Sequence, residues 1–150
     1  MNVTTVGEIL QQARKLEAMA ADCCGTLADQ AANHEVRMLA AYLGRHHRRL
    51  AETLGELPRE EHGRICSVPI PYGPQRADFR QVEHMALPAD ATAEQVLAAA
   101  MRLDEGLVAL YRQVARQGVS AEVKDLFEAL IRFEEADEVE LRKLKAMGCA

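Results

Sequence analysis

The residues in this sequence best suited to chemistry are acids and imidazoles that interrupt apolar stripes. They are Glu17, His46, Asp104, Glu134 and Asp137. Each is reached by stepping alternately three and four residues along a segment of helical periodicity, so each falls on an inward face. The local runs are Ala13–Glu17–Ala20, Leu43–His46–Leu50, Ala100–Asp104–Leu107 and Leu130–Glu134–Asp137–Leu141. Ionised carboxylates sharing a dry interior repel one another and are costly to desolvate. One imidazolium cannot balance four acids. Protonation, water or bound cations must therefore neutralise such a layer. A pair of divalent ions bridged by carboxylates would do so directly, and oxygen-rich ligation points to iron or manganese.

Four helices would have to carry these groups. Thr4 or Thr5 can cap the first, with Glu8 placed as in a capping box. Asn33 can cap the second, which Pro58 stops. Thr92 with Gln95 again has capping-box spacing, and Ser120 can open the fourth helix after a left-handed exit at Gly118. The expected helices are 5–31, 34–57, 92–117 and 121–147. The connection 58–91 holds all five prolines. Within it, a short strand-like or helical piece is expected around 77–84, and 67–74 reads as a stiff extended strap. Short turns force antiparallel neighbours, and the long connection can recross the bundle, leaving the second and third helices parallel. The expected fold is all-α: one domain, a four-helix bundle of two antiparallel pairs joined by a long crossover. Strand alternation is missing. At 1.5 Å rise per residue, the four interruptions fall within about one turn, or about 5 Å, of a common level.

The totals exclude several classes. The formal net charge is -5, so the chain as a whole is no polyanion binder. The basic run Arg45-His46-His47-Arg48-Arg49 reads as a solvated helix face, and no nucleic-acid partner is expected. No stretch approaches the roughly 18 apolar residues of a membrane span. Residues 1–5 lack a basic start followed by an apolar run, so a cytoplasmic location is expected. Cys23, Cys24, Cys66 and Cys149 form no C-x-x-C pair, which excludes a zinc ribbon. Cys24 is expected in the core and the others as incidental thiols. His34, His62 and His84 are expected to be exposed, and His47 to be a supporting or surface group. Tyr111 is expected in the core, with its hydroxyl reaching the polar layer. No nucleophile triad, phosphate loop or dinucleotide fingerprint is present.

At these residues the chain resembles the ferritin-like superfamily, most of all rubrerythrin-type domains. That family carries Glu on the first helix, Glu-x-x-His on the second, Glu on the third and Glu-x-x-His on the fourth. Glu17 matches the first Glu and is followed by Leu27-Ala28, where the family has an aromatic-Ala pair. The run from Ala99 to Asp104, followed by Leu110-Tyr111, matches the third-helix motif. The run from Val123 to Leu130, followed by Glu134, matches the approach to the last Glu-x-x-His. The departures are specific. The second helix reads Leu43-Gly44-Arg45-His46, and the alternative register Gly44 with His47 also lacks the Glu. The third-helix acid is the shorter Asp104, and the final His is Asp137. The rubredoxin-like module of rubrerythrin is not found here.

Two functions follow from the resemblance. One is a degenerate ferritin-like protein that has lost the standard diiron site and acts as a scaffold or regulator. The other is a modified site holding one or two iron or manganese ions at Glu17, His46, Asp104, Glu134 and Asp137, with redox or oxygen- and peroxide-handling chemistry. A homodimer is plausible on size.

Overall fold

Each long helix begins where a short polar side chain meets the first free backbone N–H groups. The computed structural model describes residues 4–57, 61–74, 76–80 and 86–148. Thr5 caps α1 (Val6–Gln30) by accepting from the Glu8 N–H, and Asn33 caps α2 (His34–Glu56) by accepting from the Val36 N–H. After the crossover, α4 (Ala93–Ala115) opens on a complete capping box between Thr92 and Gln95. The helix α5 (Ala121–Ala146) opens on Ser120, which accepts from the Val123 N–H. Gly118 at φ +60° takes the left-handed turn between α4 and α5 that a side chain would resist.

The expected all-α four-helix bundle is what forms. α1 packs on α2 and α4 on α5, with α2 also against α4. The crossover is more structured than a bare strap. It runs through a 3-10 helix (Glu61–Ser67), a two-residue strand β2 (Pro69–Ile70) and a short helix α3 (Arg76–Arg80). β2 pairs antiparallel with β1 (Thr4–Thr5), with Thr4 opposite Ile70 and Thr5 opposite Pro69. The expected strand-like or helical piece at 77–84 corresponds to α3 as far as Arg80; residues 81–85 lie outside the described set. Gly73 fits tightly here, because a Cβ at this position would lie 2.9 Å from Ile70 Cγ2. Its neighbour Tyr72 is tied to α4: its N–H donates to Gln117 Oε1, and its carbonyl accepts from Gln113 Nε2.

The buried apolar side chains divide into two clusters. One is built from the first half of α1, the crossover, the second half of α4 and the first half of α5, centred on Ile9, Ile70, Leu107, Tyr111 and Phe127. The other joins the second half of α1 to the first halves of α2 and α4 and the end of α5, around Leu39, Leu43, Leu97 and Leu141. Glu17, His47, Asp104, Glu134 and Asp137 lie between them in sequence on every long helix, and all five are buried.

One face departs from expectation. The buried stripe of α2 runs Val36, Leu39, Ala40, Leu43, Gly44, His47, Ala51, Leu54. His46 and Leu50, expected to point inward, are only partly buried. The physical reason is the rotation of the helix. Its buried stripe continues by threes and fours from Leu43 and Gly44 to His47, Ala51 and Leu54. A neighbour of His47 lies about 100° around the axis, which carries His46 to the rim.

Candidate metal centre

Three carboxylates converge from three helices. Glu17 (α1), Asp104 (α4) and Glu134 (α5) each bring one oxygen into a group whose members all lie within 4.8 Å of one another. Glu17 and Asp104 are 0% exposed and Glu134 is 3% exposed. The fourth helix adds Asp137 one turn beyond Glu134, and α2 adds two imidazoles. His47 is 0% exposed, with Nδ1 2.7 Å from Glu17 Oε2. His46 is the accessible one, its side chain 23% exposed, with Nε2 2.5 Å from Asp137 Oδ1. That approach is an ion-pair contact rather than an aligned hydrogen bond. The two rings are neighbours, their centroids 5.9 Å apart.

Burial dominates the proton affinities. It pushes Glu17 up to about 8 and Glu134 up to about 9; charge on Asp137 adds to the first and charge on Glu17 to the second. Asp104 is held far above the usual carboxylate range by burial, then by its closeness to Asp137 and Glu134. Burial pushes His47 down to about 4, with His46 adding to the effect. The rim pair behaves oppositely: Asp137 raises His46. Burial alone would raise Asp137, but His46 and Asp104 outweigh it and hold Asp137 below its ordinary value. Burial thus favours protons on Glu17, Glu134 and Asp104 and the neutral form of His47, while His46 and Asp137 each favour the other's charged form.

Protons shared between Glu17 and Glu134, and among Asp104, Glu134 and Asp137, can pair some of these oxygens, but the heavy-atom contacts leave many polar atoms without an aligned partner. Eight buried side-chain atoms lack a hydrogen-bond partner among the described residues: Glu17 Oε1, His46 Nε2, His47 Nε2, both Asp104 oxygens, Tyr111 Oη, Glu134 Oε2 and Asp137 Oδ2. All eight belong to this layer. Buried polar groups are normally paired, so such a concentration is a place where water or a cation can be accommodated. A divalent cation fits the donor set, which is oxygen-rich with imidazole nitrogen. The His47 arrangement also suits a metal. In the tautomer with the proton on Nδ1, that N–H donates to Glu17 and leaves the Nε2 lone pair free, as metal-bound histidines are commonly held.

The structure thus brings together Glu17, Asp104 and Glu134, with Asp137 beside them and His46 at the rim. His47, expected to be secondary, is the buried imidazole. The usable signal was Gly44, whose spacing to His47 matches Glu-x-x-His with the acid deleted. Tyr111 is fully buried, its hydroxyl influenced by Glu134, Glu17 and Asp104 as expected. Cys24 is buried and its thiol is pushed up to about 11, first by burial and then by Cys23, so it is a poor nucleophile at neutral pH. His34 is exposed. The side chain of His62, and all of His84 and Cys149, lie outside the described residues.

These features define a ferritin-like fold: four helices, one long crossover and carboxylates converging at mid-bundle. Among solved structures, the chain is similar to one designated a ferritin-like diiron-carboxylate protein from Thermotoga maritima. Sequence identity is 18%, the TM-score is 0.64, and the match spans 97% of each chain. No family model matches the sequence, and no curated protein sequence matches it. Among the described residues, no helix is long and apolar enough to cross a membrane.

Proposed function

We propose that the central layer binds divalent iron or manganese and supports redox chemistry on oxygen or peroxide. The observation that carries this reading is the set of partnerless buried donor atoms converging from all four long helices. Glu17, Asp104 and Glu134 would hold the metal through oxygen and His47 through Nε2. Bound iron or manganese would supply one-electron redox change and a place for a small oxygen species. The chain's own residues do the rest. The two apolar clusters keep bulk water from the layer, Glu17 orients the His47 ring, and His46 at the rim joins the interior to solvent. The resemblance of the motifs around Glu17, Asp104 and Glu134 to rubrerythrin-type domains supports this reading. The test is the iron and manganese content of protein purified without chelator, together with its melting temperature as metal is added. Bound metal and a melting point that rises with concentration are expected. No metal and no rise would end this reading.

A second reading is supported by Gly44, which removes a carboxylate from α2, and by the neutrality the layer reaches through protons alone. On that reading the protein is a metal-free scaffold or regulator. Replacing Glu17 or Glu134 by Ala would then leave stability unchanged or raised, and added metal would have no effect.

A further inference from the structure

We infer that this centre takes one metal ion per chain rather than two: Glu17, Asp104, Glu134 and His47 hold it, and His46 engages the carboxylate of Asp137 that a second ion would need. The inference rests on the metal-binding reading above and adds its stoichiometry.

The spacing of the carboxylates suits one ion. Oxygen ligands bond small divalent ions at about 2.0–2.2 Å, so two ligands of one ion lie at most about 4.4 Å apart. The triad oxygens lie within 4.8 Å of one another, so small side-chain movements bring all three to a single ion. The acidic triad does not stand alone. His47 Nε2 and Tyr111 Oη, on fully buried side chains from two further positions, are also without partners. Nδ1 of the same His47 ring touches Glu17, which places the imidazole at the triad.

A second ion would need further donors, and the sequence has removed them. Among the described residues, the carboxylates of this layer come from α1, α4 and α5. At the α2 position one turn before His47 stands Gly44, and the space at its Cβ is bounded by Cys24 Cβ and the Ala21 carbonyl rather than by a donor. Asp137 has one oxygen engaged by His46 at 2.5 Å. A second ion would be left with Asp137 Oδ2 and the second oxygens of carboxylates that already hold the first, with no imidazole of its own. The rim imidazole of His46 occupies the other oxygen of Asp137.

The experiment loads chelator-treated, refolded-free whole protein with excess Mn²⁺ and removes unbound metal by gel filtration. The bound ion is then read by elemental analysis and electron paramagnetic resonance. One ion per chain, with the signal of an isolated Mn²⁺, is expected. Two per chain, or the signal of an exchange-coupled pair, overturns the inference and leaves the metal reading intact. None overturns both. A variant separates the roles further. Asp137→Asn should still bind one ion, losing less than the roughly tenfold that removing a supporting residue costs. Glu134→Gln should bind far more weakly. Loss of the ion in Asp137→Asn would overturn the assignment.

Discussion

His47 Nδ1 lies 2.7 Å from Glu17 Oε2, and both side chains are fully shielded from solvent. Removing either partner strands the other in an apolar surround, whereas removing both strands nothing. In metal-free protein, His47→Leu and Glu17→Leu should each destabilise by about 1–3 kcal/mol. The double variant should cost less than the sum, leaving a coupling of about 0.5–3 kcal/mol. Urea unfolding of the four proteins in chelator measures this. Additive costs would show that the contact is not energetically real.

Glu134→Gln tests the carboxylate without changing shape. Burial already favours the protonated acid at neutral pH, so a neutral amide of the same size should alter metal-free stability by under about 1 kcal/mol. Metal affinity should fall by more than the about 10–100-fold typical of supporting residues. Calorimetric titration with Mn²⁺ and thermal melts in chelator give the two readouts.

The stability of the metal-free protein should depend on pH through opposed groups. Glu17 and Glu134, with folded values of about 8 and about 9, bind protons more tightly folded than unfolded. Their contribution is full below the unfolded carboxylate value of about 4.3 and is lost as pH rises through those folded values. His47, lowered to about 4, works the other way. Its contribution is present above the unfolded value of about 6.5 and is lost as pH falls toward 4. Between about 4.3 and 6.5 the two carboxyls outweigh the single imidazole, so melting temperature in chelator should be highest near pH 4–5 and decline toward pH 9, with His47 only blunting the fall on the acid side. Saturating Mn²⁺ should abolish the alkaline decline, because a cation takes the place of the protons.

Tyr111→Phe removes a buried hydroxyl that has no partner among the described residues and keeps the ring packed 5.8 Å from that of Phe127. Metal-free protein should be unchanged or more stable by about 1 kcal/mol. A loss of more than about 2 kcal/mol in denaturant melts would mean the hydroxyl is satisfied in solution.

Gly73→Ala should destabilise by about 1–3 kcal/mol through overpacking against Ile70. The strain falls on β2 and its pairing with β1, so protection of the Val6 amide, which donates to the Val68 carbonyl, should drop first in hydrogen exchange.

Helix starts were legible because capping is local: Thr5, Asn33, Thr92 and Ser120 each act on an N–H three residues away. The inward placement of Glu17, Asp104, Glu134 and Asp137 was also legible, since each interrupts a clean apolar period. The choice between His46 and His47 was not. Adjacent imidazoles differ by about 100° around a helix, and which one enters depends on how α2 is rotated against its packing partners, which residues far apart in sequence decide. The β1–β2 pairing was hidden for a similar reason. Two residues carry no alternation, and Thr4 meets Ile70 only because the crossover folds back over the start of α1.

Because a polar stratum separates the two hydrocarbon clusters, the bundle lacks a continuous greasy spine. Each end must consolidate on its own, and the end holding the α1–α2 turn does so without help from the 3-10 helix, β2 or α3. An ion clasped by side chains from all four rods would act as a rivet between the ends. Its removal should loosen the turn end before the rest, giving unfolding in two stages where the loaded protein melts in one.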